Sequence, residues 1–333
     1  MYRAGSRASW SGRIDSIDDF EAFRWHQWIE PVDLEREETA SPDGRAKGTP
    51  LRGVAIIGFR CDEGVKRNQG RAGARLGPAA IRAEAANLPC SFDRSLALYD
   101  TGDVDCEGTD LEAAQALLGR KVEAIRERGW FPVVLGGGHE TAYGHWLGQR
   151  ARPGNLGIIN FDAHLDMRPY PQGGSSGSMF RQIADASEAE GRPFRYLCVG
   201  AQKRSNTVAL FRDAAASGAS WLLARDINEG GSASAYPAID AFLASADSHM
   251  ITVCADVVSS AWAPGVSAPQ PLGLDPETLL RMLKRSLSSG KAVGLDICEV
   301  SPRADGPDPT ASLAATLLFA AVNSVAELAG LGR

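Results

Sequence analysis

The chain has 333 residues, a formal net charge of −6 and a hydrophobic share of 44%, enough apolar material for one large α/β domain or two small ones. Mild acidity without a Lys/Arg cluster excludes nucleic acid or an anionic membrane as the main partner, since either needs a basic face, and leaves a small polar molecule as the expected partner. No uninterrupted apolar run nears twenty residues and the first twenty, MYRAGSRASWSGRIDSIDDF, hold no apolar stretch of signal-peptide length, which predicts a cytoplasmic protein.

In chain order, residues 1–50 form an N-terminal extension and linker. Within it FEAFRWHQWIE (20–30) predicts a surface helix that docks Phe23, Trp25 and Trp28 on the main domain. ASPDGRAKGTP (40–50) has the Pro, Gly and charge content of a linker. Residues 51–333 read as a single catalytic domain. Eight apolar or β-branched runs predict strands at 53–59, 96–102, 130–136, 155–162, 195–201, 220–224, 249–256 and 292–299. Each is followed by a turn and then a helical pattern, the signature of a parallel sheet. LEAAQALLGRKVEAIRERG and DPETLLRMLKRSLSSG are two such helices, the second with Asp275 as N-cap and Gly290 as stop. PTASLAATLLFAAVNSVAELAG, apolar on most faces, predicts a buried terminal helix. Six cysteines (61, 90, 106, 198, 254 and 298) are spread singly with no C-x-x-C pair, so they make neither a zinc knuckle nor a dense disulfide framework.

The chemistry concentrates at strand ends. DAHLD (162–166) sets two aspartates and a histidine at two-residue intervals. Side chains alternate along a strand, so Asp162, His164 and Asp166 would project together into the crevice where open α/β sheets bind ligands. Any one of them alone is explained by a turn cap or a core histidine. As a set, the carboxylates would repel and rise in pKa unless a cation neutralised them. LGGGHE (135–140) ends the preceding strand in three glycines that let the backbone turn tightly and carry His139 to the neighbouring strand end. It lacks the Walker lysine and the dinucleotide G-x-G-x-x-G spacing, which argues against a nucleotide. TVCAD (252–256) offers Cys254 and Asp256 at the same two-residue spacing. Together these residues could hold two divalent cations bridged by a carboxylate, and mixed imidazole and carboxylate ligation suits manganese or a similar ion. Such a pair makes hydroxide near neutral pH, which predicts a hydrolase.

These residues resemble the arginase and agmatinase family, the ureohydrolases, whose metal motifs are a Gly-Gly-x-His turn, an Asp-Ala-His-x-Asp strand end and an Asp-x-Asp strand end. The resemblance runs from about residue 53 to the C-terminus. CDEGVKRNQGRAGARLGPAAIR, SSGSMFRQI, GAQKRSNTVALF and APGVSAP are most similar to the formiminoglutamase branch. The resemblance implies a three-layer α/β/α arginase-like fold around an eight-stranded parallel sheet, two manganese ions and a homo-oligomer. It also implies hydrolysis of N-formimino-L-glutamate to L-glutamate and formamide, a step of histidine breakdown. By matched position, His139, Asp162 and Asp166 would hold one metal, and Asp162, His164 and Asp256 the other. Asp166 would also relay a proton to the departing nitrogen, and Glu299 in DICEVSP would pair with the amidine. For the glutamate end the candidates are Ser175, Ser176, Asn206, Arg67 and Asn68, arginine forks being suited to carboxylates.

The chain departs from the wider family at two places. Ser176 stands where arginases and agmatinases carry histidine, which argues against a guanidine substrate. Cys254 stands where the family has the aspartate that contacts both metals, and sulfur is a better partner for zinc, cobalt or ferrous iron than for manganese. A cluster with a thiolate ligand, a mononuclear site and a fold without metal all remain open. So do three functional alternatives: the formiminoglutamase reaction, another amidinohydrolase of the family releasing urea, and a non-catalytic homologue. A Cys61 to Cys254 disulfide that blocks metal loading is a further expectation, set against two unrelated buried thiols.

Overall fold

Every one of the eight expected strands is present in the computed structural model, which describes residues 1–36, 53–106, 108–302 and 308–333. With two short strands from the N-terminus they form one sheet. In chain order these are β1 (Tyr2–Arg3), β2 (Glu30–Pro31), β3 (Gly53–Arg60), β4 (Ala97–Asp105), β5 (Phe131–Leu135), β6 (Leu156–Phe161), β7 (Tyr196–Ala201), β8 (Ser220–Leu223), β9 (Ser248–Cys254) and β10 (Ala292–Cys298). The spatial order is β1-β4-β3-β5-β10-β9-β6-β7-β8, with β2 also on β4. The eight long strands run parallel, and among the described strands only β1 is antiparallel to its neighbour. The sheet thus has ten strands where eight were expected, because strands of two residues carry no periodicity to read.

Alternation along these strands builds three layers. Val54, Ile56, Val133, Leu135, Ile159, Ile251, Val253, Leu295 and Ile297 pack into one core with the helices Gly77–Ala85, Ser232–Ala244, Pro276–Leu287 and Pro309–Leu328. On the other face, Ala55, Ile57 and Val134 meet the helix Leu111–Glu127, while Ile158, Cys198 and Met250 meet Thr141–Gln149, Met179–Ala189 and Val208–Ala216. Strands covered on both sides are apolar throughout, which is why they were readable as continuous runs. Asp275 caps its helix by accepting from Glu277 N at 2.9 Å, and Gly290 adopts a left-handed conformation beyond its end. The helix Pro309–Leu328 is long and apolar enough by composition to cross a membrane, yet it packs inside this core against Gly77–Ala85.

The N-terminal residues are part of the same body. Trp25 and Phe20 are buried, Phe23 and Trp28 pack against the core, and Trp10 Nε1 donates to the buried Asp100 at 2.7 Å. The docked aromatics match expectation, although the helix itself spans only Trp25–Trp28. The expected linker at 40–50 lies outside the described residues.

Candidate active site

Strand order brings the chemistry together. Strands β9 and β10 insert between β5 and β6, so four C-terminal ends lie side by side in the order β5-β10-β9-β6. His139 follows β5, Glu299 follows β10, Cys254 and Asp256 lie at and beyond the end of β9, and Asp162, His164 and Asp166 follow β6. This is the reversal of winding at which open sheets place ligands. The GGGHE turn is pinned to its neighbours: Gly136 N donates to Ile297 O (2.7 Å) and Gly138 N to Cys61 O (3.0 Å). A side chain at Gly137 would lie 1.7 Å from Cys61 O, so only glycine permits that approach.

Convergence comes from loops rather than from strand alternation. β6 ends at Phe161 and β9 at Cys254, with Asp256 in a 3₁₀ turn, and Asp166 has a left-handed backbone, φ 47°. That turn folds its carboxylate back, leaving Oδ2 3.0 Å from His139 Nδ1, while Asp162 Oδ2 lies 2.9 Å from the same nitrogen. His164 Nδ1 is 3.4 Å from Asp162 Oδ1 and 3.1 Å from Asp256 Oδ2. Two donor groups result, His139 with Asp162 and Cys254, and Asp162 with His164 and Asp256, the donor atoms within each lying within 4.8 Å of one another. Asp162 belongs to both. Its carboxylate is braced by His164 N at 2.8 Å and Asn160 Nδ2 at 3.2 Å.

The electrostatics are those of charge forced inside. Burial alone would depress the two imidazoles, but Asp162 and Asp166 beside His139, and Asp256 and Asp162 beside His164, push both well above the ordinary histidine range. Asp162 moves the other way: burial would raise it, yet the two histidines hold it well below the usual carboxylate range. Asp166 is pushed up to about 6 by burial and by the charge of Asp162. Burial followed by the charges of Glu140 and Asp256 pushes Glu299 up to about 8. The Cys254 thiol is raised well above its usual value by burial and by Asp162, Asp256 and Glu299 around it. Of the buried carboxylate oxygens without a hydrogen-bond partner, two belong to the cavity wall, Asp256 Oδ1 and Glu299 Oε2, and a cation would satisfy them.

Above these groups opens a cavity of about 290 Å³. Its wall includes Asn68, Ser176 and Asn206 of the expected substrate contacts, together with His139, His164, Asp166, Cys254, Asp256 and Glu299. Arg67 and Ser175 are not on it. The Arg67 guanidinium is clasped by Glu112 (2.7 Å), Thr109 O (2.6 Å) and Gly174 O (3.1 Å), and the Ser175 hydroxyl turns to Ser178. Asn206 reaches the wall with its amide already used, accepting from Leu165 N and donating to Ala163 O and Gln202 O, so it holds the DAHLD loop in place. Sequence reasoning passed over Arg168, which also lines the cavity, is exposed, and has no ion-pair partner among the described residues. Its place in the loop directly after DAHLD was the available signal. Cys61 does not pair with Cys254. Its thiol meets Cys106 and Glu140, away from the cavity that Cys254 lines, and all six cysteines are free.

A three-layered α/β/α body with paired imidazole and carboxylate donor groups at the C-terminal ends of four central strands has the arrangement of the ureohydrolase class. The sequence profile of the arginase family matches residues 52–323, and the chain belongs to that family. It is 47% identical to a formimidoylglutamase from Clostridium tetani over 339 residues, covering 99% of this chain and 98% of the relative. It is 44% identical to the formimidoylglutamase of Geobacillus thermodenitrificans, covering 97% of each. Among solved structures it resembles the formimidoylglutamase of Bacillus subtilis (TM-score 0.74, 26% identity, covering 84% of this chain and 89% of that one). It also resembles a formiminoglutamase of Trypanosoma cruzi crystallised with Mn2+ (TM-score 0.74, 29% identity, 82% and 93%).

Proposed function

We propose that the protein is a metal-dependent formimidoylglutamase, hydrolysing N-formimino-L-glutamate to L-glutamate and formamide. The observation that carries this reading is the pair of donor groups sharing Asp162 beneath a cavity that also holds Glu299 and Arg168. The donor set fits two divalent ions: imidazole nitrogens and carboxylates converge, and the unpartnered Asp256 Oδ1 faces the need for a cation. Manganese held there would supply Lewis acidity and acidify a water to hydroxide near neutral pH.

The remaining work falls to the chain's own side chains. Glu299, anchored through Oε1 to His139 N at 2.9 Å, keeps Oε2 for the substrate amidinium. A cation there favours the ionised carboxylate, reversing the burial that holds Glu299 near 8. Asp166, beside His139 on the cavity wall, is the carboxylate placed to take up a proton and deliver it to the departing glutamate nitrogen. Arg168, with Asn68 and Ser176, receives the carboxylates of the glutamate end. Cys254 lies within the first donor group, and a thiolate in that place favours a softer metal than manganese at one of the two positions.

The test is formamide release from N-formimino-L-glutamate by reduced, chelator-stripped protein with manganese, zinc or nothing added back. Metal-restored formamide is the expected result, and the restoring metal reports what Cys254 prefers. Urea from a guanidino substrate in place of formamide would move the protein to another branch of the family, and no product with any metal would overturn the hydrolase.

A further inference from the structure

One pleat below the metal-binding residues, the sheet carries a row of polar side chains where a core would normally be apolar. Asp296 on β10 is in register with Thr252 on β9, and Thr252 with Asn160 on β6. All three are fully buried. Two of them lead to His139. His139 Nε2 lies 2.9 Å from Thr252 Oγ1, and Thr252 Oγ1 donates to Asp296 Oδ1 at 2.5 Å. The other oxygen of Asp296 lies 2.7 Å from Nδ1 of His145, on the helix covering this face. His145 Nε2 in turn faces Gln149 Nε2 at 3.4 Å, and that amide nitrogen also donates to Val293 O at 2.9 Å.

The direction of every hydrogen bond in this chain is forced. Gln149 offers an N–H to His145 Nε2, so that nitrogen accepts and the His145 proton sits on Nδ1, where it donates to Asp296. An ionised carboxylate only accepts. Thr252 therefore spends its single proton on Asp296 and can only accept from His139. The His139 Nε2 is thus fixed as an N–H donor, which leaves Nδ1, the nitrogen facing Asp162 and Asp166, as the one a metal can take. His139, Asp296 and Cys298 also bring donor atoms within 4.8 Å of one another. The Thr252 hydroxyl bridges the first two, so this group is a closed hydrogen-bond network.

We propose that Thr252 and Asp296, backed by His145, are positioning residues that lock the tautomer and ring orientation of His139 and thereby set the affinity of the metal position His139 serves. The inference rests on the metal-dependent reading above and deepens it. It extends the general pattern in which a metal-binding imidazole gives its second N–H to a carboxylate, here through an intervening threonine.

The experiment is calorimetric titration of Mn2+ into chelator-stripped wild type, Thr252→Val and Thr252→Ser. Valine keeps the branched shape that suits the strand but removes the hydroxyl, and serine restores the hydroxyl without the methyl. Loss of the hydroxyl should weaken one class of Mn2+ site by about 10- to 100-fold, and Thr252→Ser should recover most of that loss. A purely structural role would make serine, which leaves a cavity, no better than valine. Wild-type affinity in Thr252→Val, or equally weak binding in both variants, would overturn the proposal. If Thr252→Val does not melt cooperatively, Asp296→Asn takes its place, and unchanged Mn2+ affinity there overturns the proposal equally. Wild type that takes up no Mn2+ would instead bring down the metal-dependent reading itself, and the inference with it.

Discussion

Arg168 offers the sharpest test of how the glutamate end is held. It is the one Arg or Lys on the cavity wall and has no ion-pair partner among the described residues, so its charge is available to a substrate carboxylate. A hydrogen bond to a charged group contributes about 1.5–3 kcal/mol. Arg168 is exposed, so solvent screening brings the expected contribution to about 1–1.5 kcal/mol. At tenfold per 1.4 kcal/mol, Arg168→Ala should raise KM about 5- to 12-fold with kcat little changed. The assay is steady-state formamide release at two ionic strengths, with the wild-type advantage shrinking at the higher one. Repeating it with N-formiminoglycine, which lacks the side-chain carboxylate, and with N-formimino-4-aminobutyrate, which lacks the α-carboxylate, identifies the partner. The penalty should vanish for the substrate missing the carboxylate that Arg168 binds. A penalty that persists with both truncated substrates, or one that falls on kcat alone, would refute the assignment.

Glu299→Gln keeps the acceptor that His139 N uses while removing the charge aimed at the amidinium, so kcat/KM should fall about 100-fold or more with the melting temperature nearly unchanged; a loss confined to folding would count against its role. Metal binding should release protons. His139 and His164 are held well above the ordinary histidine value by the carboxylates beside them, and a metal that takes their lone pairs displaces those protons, so affinity should rise with pH; calorimetry in two buffers of different ionisation enthalpy would expose equal heats if no proton leaves. Titration of thiols in denatured protein prepared under air should count six, since none is bridged; a count of four would restore a disulfide.

Much of this architecture was legible because burial on both faces writes a parallel strand as an unbroken apolar run. The candidate site residues stood out for a related reason: Asp162, His164, Asp166 and Asp256 interrupt such runs with charge, and little besides chemistry justifies that. What escaped was non-local. Nothing near Arg67 announces that Glu112, forty-five positions away, claims its guanidinium. The two-residue strands Tyr2–Arg3 and Glu30–Pro31 exist only because the edge of β4 is there to pair them. Cys61 and Cys254 both stand at strand ends, but adjacent placement of β4 gives Cys61 its neighbour in Cys106.

The backbone shows how closely structure and chemistry are tied here. Among the described residues three that are not glycine have positive φ, Gln69 (61°), Asp166 (47°) and Glu299 (66°), and all three line the one cavity. A left-handed residue with a side chain costs about 1–2 kcal/mol, so the three together use up stability that is a sizeable fraction of the roughly 5–15 kcal/mol a domain has. Each is held by the surrounding turn: Glu299 N donates to Gly137 O at 2.8 Å, Phe180 N to Asp166 O at 3.2 Å, and Gln69 N to Lys66 O at 2.9 Å. Glycine would relieve the strain at 166 and 299, but it would delete the carboxylate that the strained turn exists to aim. The turn that carries His139 and the turn that carries Glu299 are also one structure, because Glu299 N and Oε1 bond to Gly137 O and His139 N respectively. A change that loosens the GGGHE turn should therefore disturb the metal site proposed at His139 and the amidinium contact proposed for Glu299 together.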